Sequence, residues 1–462
     1  MEPLERLGLE ALAQRYRDGR LNPVTVAEWC AERHGRFGSS LNAYKTWDGD
    51  GLRRQAGLAA AAFEAGRDLG PMQGIPFSAK DLYGVPGLPT YAGSPMPLPD
   101  QWEQAGPVVN RLLRQLAPVS GKTHTVEFAY GGLGTNPHWG APRNPWSPDV
   151  HRVPGGSSAG AGVSLMEGSA LLALGTDTAG SVRIPASMTG TVGIKLSHGR
   201  WSLEGIVPLC ASFDTPGLLA RSVEDAVWAM EAIEECAMPR RDQVAGLRIG
   251  VPEAFFWEET DPGVAETVRQ ALAELEAAGA RLVPLDLADL DEAYGYFRQG
   301  GLTPPELYAF LTRDLPEWLD TLDANVRQRL EAGKAFPAWE YIQRRDRFAA
   351  IGKAAITQLA KVDVMAFPTV PSTPPTLAML EPEGAYPQQN LKALRNTCIA
   401  NVLGLCAITL PVGLDAARMP VGMSLMAGAG ADPALIAAGL AVEQALGRGV
   451  DRLGLPPLAA FP

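Results

Sequence analysis

Between about residues 70 and 216 the chain is dense in glycine, proline, serine and threonine, broken by short apolar runs such as 170–174. Glycine and proline interrupt helices and mark turns, so this stretch must alternate short extended pieces with loops. From about 263 to 361 the pattern is helical instead. Val264, Val268, Ala271, Leu272 and Leu275 recur at helical spacing, and Gly279 follows as a C-terminal cap. Residues 247–251 and 280–283 read as strands on either side of that helix, a βαβ-like unit. Residues 364–367 and 407–410 read as two more buried strands, ended by Pro368 and Pro411, and 435–446 reads as a closing apolar helix. Alternating strands and helices predict an α/β layered domain. With no linker isolating the middle stretch, residues 1–462 are expected to form a single domain. Its core segments run over about 70–230 and 360–450, and the helical region 263–361 is a candidate cap over a site.

Composition narrows the function classes. The 462 residues carry a formal charge of −11, which repels phosphate backbones and disfavours direct nucleic-acid binding. Cys30, Cys210, Cys236, Cys398 and Cys406 are widely spaced with no C-x-x-C pair, which fits buried thiols in a reducing compartment. Residues 1–20 read as an amphipathic helix rather than a leader, and no apolar run reaches the length of a membrane span. A cytoplasmic protein without membrane contact is expected.

Three segments concentrate the chemistry. Gly74-Ile75-Pro76-Phe77-Ser78-Ala79-Lys80-Asp81 ends a short apolar strand in a lysine. Pro154-Gly155-Gly156-Ser157-Ser158-Ala159-Gly160 is a glycine-serine loop. Gly175-Thr176-Asp177-Thr178-Ala179-Gly180-Ser181-Val182-Arg183-Ile184-Pro185-Ala186 is the third. Such loops can aim several backbone N–H groups into one cavity and hold a developing oxyanion. Thr178, Ala179, Gly180 and Ser181 are the candidate donors, beside the Ser181 hydroxyl. A serine needs a base to become a nucleophile. The chain has only five histidines, His34, His124, His138, His151 and His198, so a lysine base has to be weighed. Bringing a lysine from about 10.4 to about 7 costs roughly 4.6 kcal/mol, which burial can impose. The competing reading pairs Lys80 with a carboxylate such as Asp81.

Taken together, these segments resemble the amidase signature family. Gly121-Lys122-Thr123 through Ala129, Asn136-Pro137-His138 through Pro145, and Leu410-Pro411-Val412-Gly413 through Gly422 are similar to its intervening and closing segments. The resemblance implies a mixed β-sheet core covered by helices on both faces. It implies a Ser–cis-Ser–Lys set falling on Ser181 as nucleophile, Ser157 as relay and Lys80 as base, with a cis bond between Gly156 and Ser157. Ser157 and Ser181 stand 24 positions apart, the family spacing. The implied reaction is cleavage of a small carboxamide through an acyl-enzyme, with no cofactor and no metal. Ser158, Asp177, Arg183, Tyr130, Gly131 and Gly132 are the implied supporting or substrate-binding positions. For Arg183 an internal loop-shaping role is preferred over an anion clamp. Ala159 and Ala179 replace usual glycines and are expected at negative φ, while His124 stands where asparagine is frequent. A small-molecule amide is the expected partner, and a homodimer is the assembly left open.

Other readings compete. Within the family, the A subunit of a tRNA-dependent amidotransferase is the main alternative, and a catalytically dead scaffold is disfavoured because all three catalytic positions are intact. Gly156-Ser157-Ser158-Ala159-Gly160 also fits the nucleophile elbow of an α/β-hydrolase esterase with Ser158, Asp177 and His198, although no five-residue apolar strand precedes it. Gly121-Lys122-Thr123 looks like a P-loop end but lacks the upstream glycine at Leu116. Trp139, Trp146 and Trp201 are read first as packing residues. Substrate hints diverge between arylacetamide hydrolases (199–208) and the carboxybiuret and allophanate branch (127–146).

Overall fold

The computed structural model describes Leu4 and residues 6–460; Met1–Pro3 and Glu5 of the expected N-terminal helix lie outside them. The described part of that helix runs over Leu9–Arg17. Eleven strands form one sheet: β1 (Tyr44–Trp47), β2 (Phe77–Lys80), β3 (Val119–Thr123), β4 (Leu172–Asp177), β5 (Val192–Lys195), β6 (Thr215–Ala220), β7 (Arg248–Val251), β8 (Arg281–Pro284), β9 (Val364–Pro368), β10 (Cys406–Leu414) and β11 (Pro420–Ala427). Their order is β1-β3-β2-β4-β6-β5-β10-β11-β9-β7-β8. β2 runs parallel to β3 and β4, and β7 runs parallel to β8 and β9, while the remaining pairs are antiparallel. The sheet is therefore mixed. β2, β4, β5, β6, β9 and β11 are buried at every residue, which requires cover on both faces.

The βαβ-like unit forms as its periodicity predicts. Helix Pro262–Ala277 joins β7 to β8, and Gly279 follows it at φ +98°. Two strand readings need correction. The run at 170–174 enters the sheet only at Leu172, and β4 continues through Gly175, Thr176 and Asp177, so the third motif begins as strand rather than loop. Pro411 does not end its strand. β10 runs on to Leu414 through a bulge between Pro411 and Gly413. Pairing with β5 stops at Thr409, so beyond it no neighbour on that side asks Pro411 for an N–H.

The topology gathers the three motifs. β2 and β4 are adjacent and parallel, with Ala79 beside Leu174, so their C-terminal ends emerge at one edge. That edge is where open α/β sheets bind ligands. The glycine-serine loop leads into helix Ala159–Glu167, whose first turn presses on the sheet: a Cβ at Gly160 would lie 1.9 Å from the Ala43 carbonyl oxygen. Among the described residues no helix is long and apolar enough to cross a membrane.

Candidate active site

Lys80 closes β2 and is fully buried. Its Nζ is hydrogen-bonded to Ser157 Oγ at 2.7 Å and donates to Thr176 Oγ1 at 2.8 Å. Burial lowers its pKa to about 7, against the opposing pull of the Asp214 and Asp177 carboxylates. The competing pairing with Asp81 does not form. Asp81 instead meets Lys122 Nζ at 3.2 Å, and Lys122 also donates to Thr90 Oγ1, so the P-loop-like lysine is tied inside the core.

The peptide bond between Gly156 and Ser157 is cis. Glycine is required on its N-terminal side because a Cβ at Gly156 would sit 2.6 Å from the Gly134 amide nitrogen. Ser158 N–H donates to the Ser181 carbonyl at 3.2 Å, stitching the second motif to the third. Ser157 and Ser181 are both buried. The Ser181 hydroxyl itself makes no hydrogen bond among the described residues.

Asp177 organises the turn that carries Ser181. Its carboxylate accepts from Gly180 N–H at 2.7 Å, Val182 N–H at 3.1 Å and the Arg183 side chain at 3.0 and 3.1 Å. Burial would raise its pKa, but Arg183, Lys195 and Asn401 outweigh it and hold it at about 2. Two consequences follow. Arg183 is enclosed and committed to Asp177 and to Asn401 Oδ1 at 2.6 Å, the internal role rather than an anion clamp. Gly180 leaves the expected oxyanion donor set, because its N–H is turned onto Asp177. The N–H groups of Thr178, Ala179 and Ser181 remain without an acceptor among the described residues. Ala159 and Ala179 avoid positive φ as expected, while Gly180 takes φ +126°.

The elbow constellation is not assembled. Asp177 is saturated by the turn, Ser158 Oγ faces the Thr176 carbonyl at 3.4 Å, and His198 is exposed and bonded to the Ala211 carbonyl. His124 packs against Asn42 Oδ1 at 3.2 Å, and burial lowers its pKa to about 4. Trp146 and Trp201 are core residues, whereas Trp139 and Tyr91 sandwich the Lys45 ammonium at 3.8 and 3.7 Å.

Tyr130 lines a cavity of about 420 Å³ whose other walls come from 297–304 and 325–332 of the helical region and from 386–394. Gly132 N–H donates to Asn390 Oδ1 at 2.7 Å, and Gly132 C=O accepts from Gly156 N–H at 2.8 Å, linking this wall to the cis-serine loop. A Cβ at Gly131 would lie 2.6 Å from the Tyr386 hydroxyl. Leu394 and Phe297 pack with Ala179, so the cavity abuts the Ser181 turn without being lined by Ser181 itself.

Sequence reasoning missed Thr176 as a partner of Lys80, and Asp214, which accepts from Thr178 Oγ1 at 2.5 Å. It also missed Asn390, Thr397 and Asn401. Thr397 Oγ1 donates to the Ala179 carbonyl at 2.7 Å, and Asn401 Nδ2 donates to Asp177 at 2.9 Å. Thr176 lies inside the third motif. The other residues belong to no local pattern, though their polarity within apolar segments was a signal.

Comparison with known proteins agrees with this geometry. The Amidase family model matches residues 25–436. A 2-amino-5-chloromuconic acid deaminase of Comamonas testosteroni is 51% identical over 98% of this chain and 99% of its own. The A subunit of the glutamyl-tRNA(Gln) amidotransferase of Desulforudis audaxviator is 31% identical over 91% of this chain and 92% of its own. A crystal structure of an amidase superimposes with a TM-score of 0.87 at 32% identity, covering 96% of this chain and 100% of that one. Matched along nearly its whole length and carrying the three motifs on one sheet edge, the chain belongs to the amidase signature family and is a hydrolase of amide C–N bonds.

Proposed function

We propose that the chain hydrolyses a small carboxamide through a Ser181 acyl-enzyme, with Lys80 as base and Ser157 as proton relay. Neutral Lys80 takes the Ser157 proton as Ser157 takes that of Ser181, and Ser181 Oγ forms a bond to the amide carbonyl carbon. The Thr178, Ala179 and Ser181 N–H groups receive the oxyanion. As the tetrahedral intermediate collapses, the C–N bond breaks and the proton held by Lys80 returns through Ser157 to the leaving nitrogen. Water then attacks the ester by the same route, releasing the acid and free Ser181.

The observation that carries this reading is the 2.7 Å contact of a fully buried, carboxylate-free Lys80 amine with Ser157. A neutral amine has one lone pair and two hydrogens. Thr176 Oγ1 accepts one hydrogen, which leaves the lone pair free to face Ser157. The 51%-identical relative, named as a deaminase of an amino-substituted muconic acid, supports ammonia as the leaving group. Ammonia release from a panel of amides is the direct assay. Ser181→Ala is expected to abolish turnover and labelling by a fluorophosphonate, and Ser157→Ala and Lys80→Ala to lower kcat at least about a hundredfold. Normal turnover in Ser157→Ala would rule the relay out.

A further inference from the structure

The cavity beside the Ser181 turn is electrically one-sided. Its lining includes Arg298 and Arg329 but no aspartate or glutamate, in a chain whose net charge is −11. Arg329 is half-buried. Its Nε donates to the Asn325 carbonyl at 3.0 Å and its Nη2 to the Tyr130 carbonyl, and its guanidinium stacks 4.1 Å from the Tyr130 ring centre. That leaves Nη1 without a protein partner, and no carboxylate neutralises the group among the described residues. Arg298 is exposed and makes no hydrogen bond, resting 5.9 Å from the Tyr294 ring. Asn390 is only 4% exposed, and its Oδ1 is committed to Gly132 N–H. Its Nδ2 therefore points away from that bond, with no acceptor among the described residues. Two unneutralised guanidiniums and an unpartnered amide donor form a site for a planar anion, and guanidinium matches a carboxylate bidentately. Tyr130, Phe297 and Tyr386 supply flat apolar walls, and about 420 Å³ suits a small ligand.

We propose that the substrate carries a carboxylate remote from the scissile C–N bond, held by Arg329 and Arg298 and by the Asn390 amide. Arg329, pinned by two backbone carbonyls and an aromatic face, sets the position of the acid. Arg298, unpinned and exposed at the same cavity, gathers the anion electrostatically. The proposal names the substrate class for the Ser181 reaction and so rests on that reading.

The test separates binding from chemistry. Calorimetric titration of the Ser181→Ala protein with trans,trans-muconate, and with its neutral diamide, reads the site without turnover. Muconate is expected to bind at least about tenfold more tightly than the diamide, and Arg329→Gln to erase at least about tenfold of that affinity. Arg329→Lys, which keeps the charge, should recover part of it. Arg298→Gln, a change at an exposed side chain with no hydrogen bond, should weaken muconate severalfold and leave the diamide unchanged. Muconate binding no better than the diamide, or both arginine variants weakening both ligands alike, would overturn the proposal. Ammonia release by the wild-type enzyme from succinamate, compared with 4-oxopentanamide, should show the same preference for the acid. If the Ser181→Ala protein still releases ammonia at the wild-type rate, the nucleophile assignment fails while the titration remains a valid test of the anion site.

Discussion

Lys80 is a cation that the fold has made expensive to charge. Its pKa in the folded chain is about 7, below the ordinary lysine value, so activity should rise with pH through about 7 and level off above it. A bell centred near pH 6 would exclude it as the base. The same residue links stability to pH. Between about 7 and 10.5 the unfolded chain binds a proton that the folded chain does not, so the Lys80 contribution to stability grows as pH rises across that window. Lys80→Met removes this dependence, and the variant should gain more in Tm over the wild type at pH 6 than at pH 9. Thr176→Val removes the acceptor that orients the amine. It should lower kcat by more than it changes KM and move the rising limb to lower pH, since an acceptor favours the ammonium form.

Secondary-structure elements position these groups through close backbone approaches rather than through propensity. Helix Ala159–Glu167 begins against the carbonyl of Ala43 and the amide of His124, where a Cβ at Gly160 would come within 1.9 and 2.7 Å of main-chain atoms. Backbone cannot move aside as a side chain can. Gly160→Ala should therefore cost about 1–3 kcal/mol or more and displace the Ser157 loop, which thermal melting together with kcat would show. Gly57, on helix Gly49–Glu64, is the opposite case, because an added Cβ there would have nothing within 4 Å. Gly57→Ala should stabilise the chain by about 0.5–1 kcal/mol through helix propensity and leave activity alone.

At the scale of the whole molecule, one sheet joins strands drawn from 44 to 427, and a single contiguous core cluster takes residues from Leu7 to Leu446. We propose from that continuity that the chain unfolds as one domain. Scanning calorimetry should give one cooperative transition, and two separated endotherms would refute it. The helical region is bound to this body by its own strands, β7 and β8, and contributes Phe297, Arg298 and Arg329 to the cavity wall. If the chain works alone on small amides, as proposed, added tRNA and ATP should not raise its glutaminase activity. Strong stimulation would favour the amidotransferase reading instead.

The α/β class, the helix before Gly279, the strands beside it and the placement of Lys80, Ser157 and Ser181 on three motifs were legible in the chain, because period, glycine placement and motif order are local properties. Local order also fixes which residues share the Asp177 turn. The partners of that turn were not legible: Asn401, Thr397 and Asp214 reach it from distant segments that only the sheet brings alongside. The withdrawal of Gly180 N–H onto Asp177, and the continuation of β10 through Pro411 where β5 has already ended, depend on how the chain closes around each site in three dimensions. So do the two lysine environments. Lys80 and Lys122 look alike as residues on short apolar segments, yet the fold leaves one facing hydroxyls and gives the other a carboxylate, and burial acts on each according to what surrounds it.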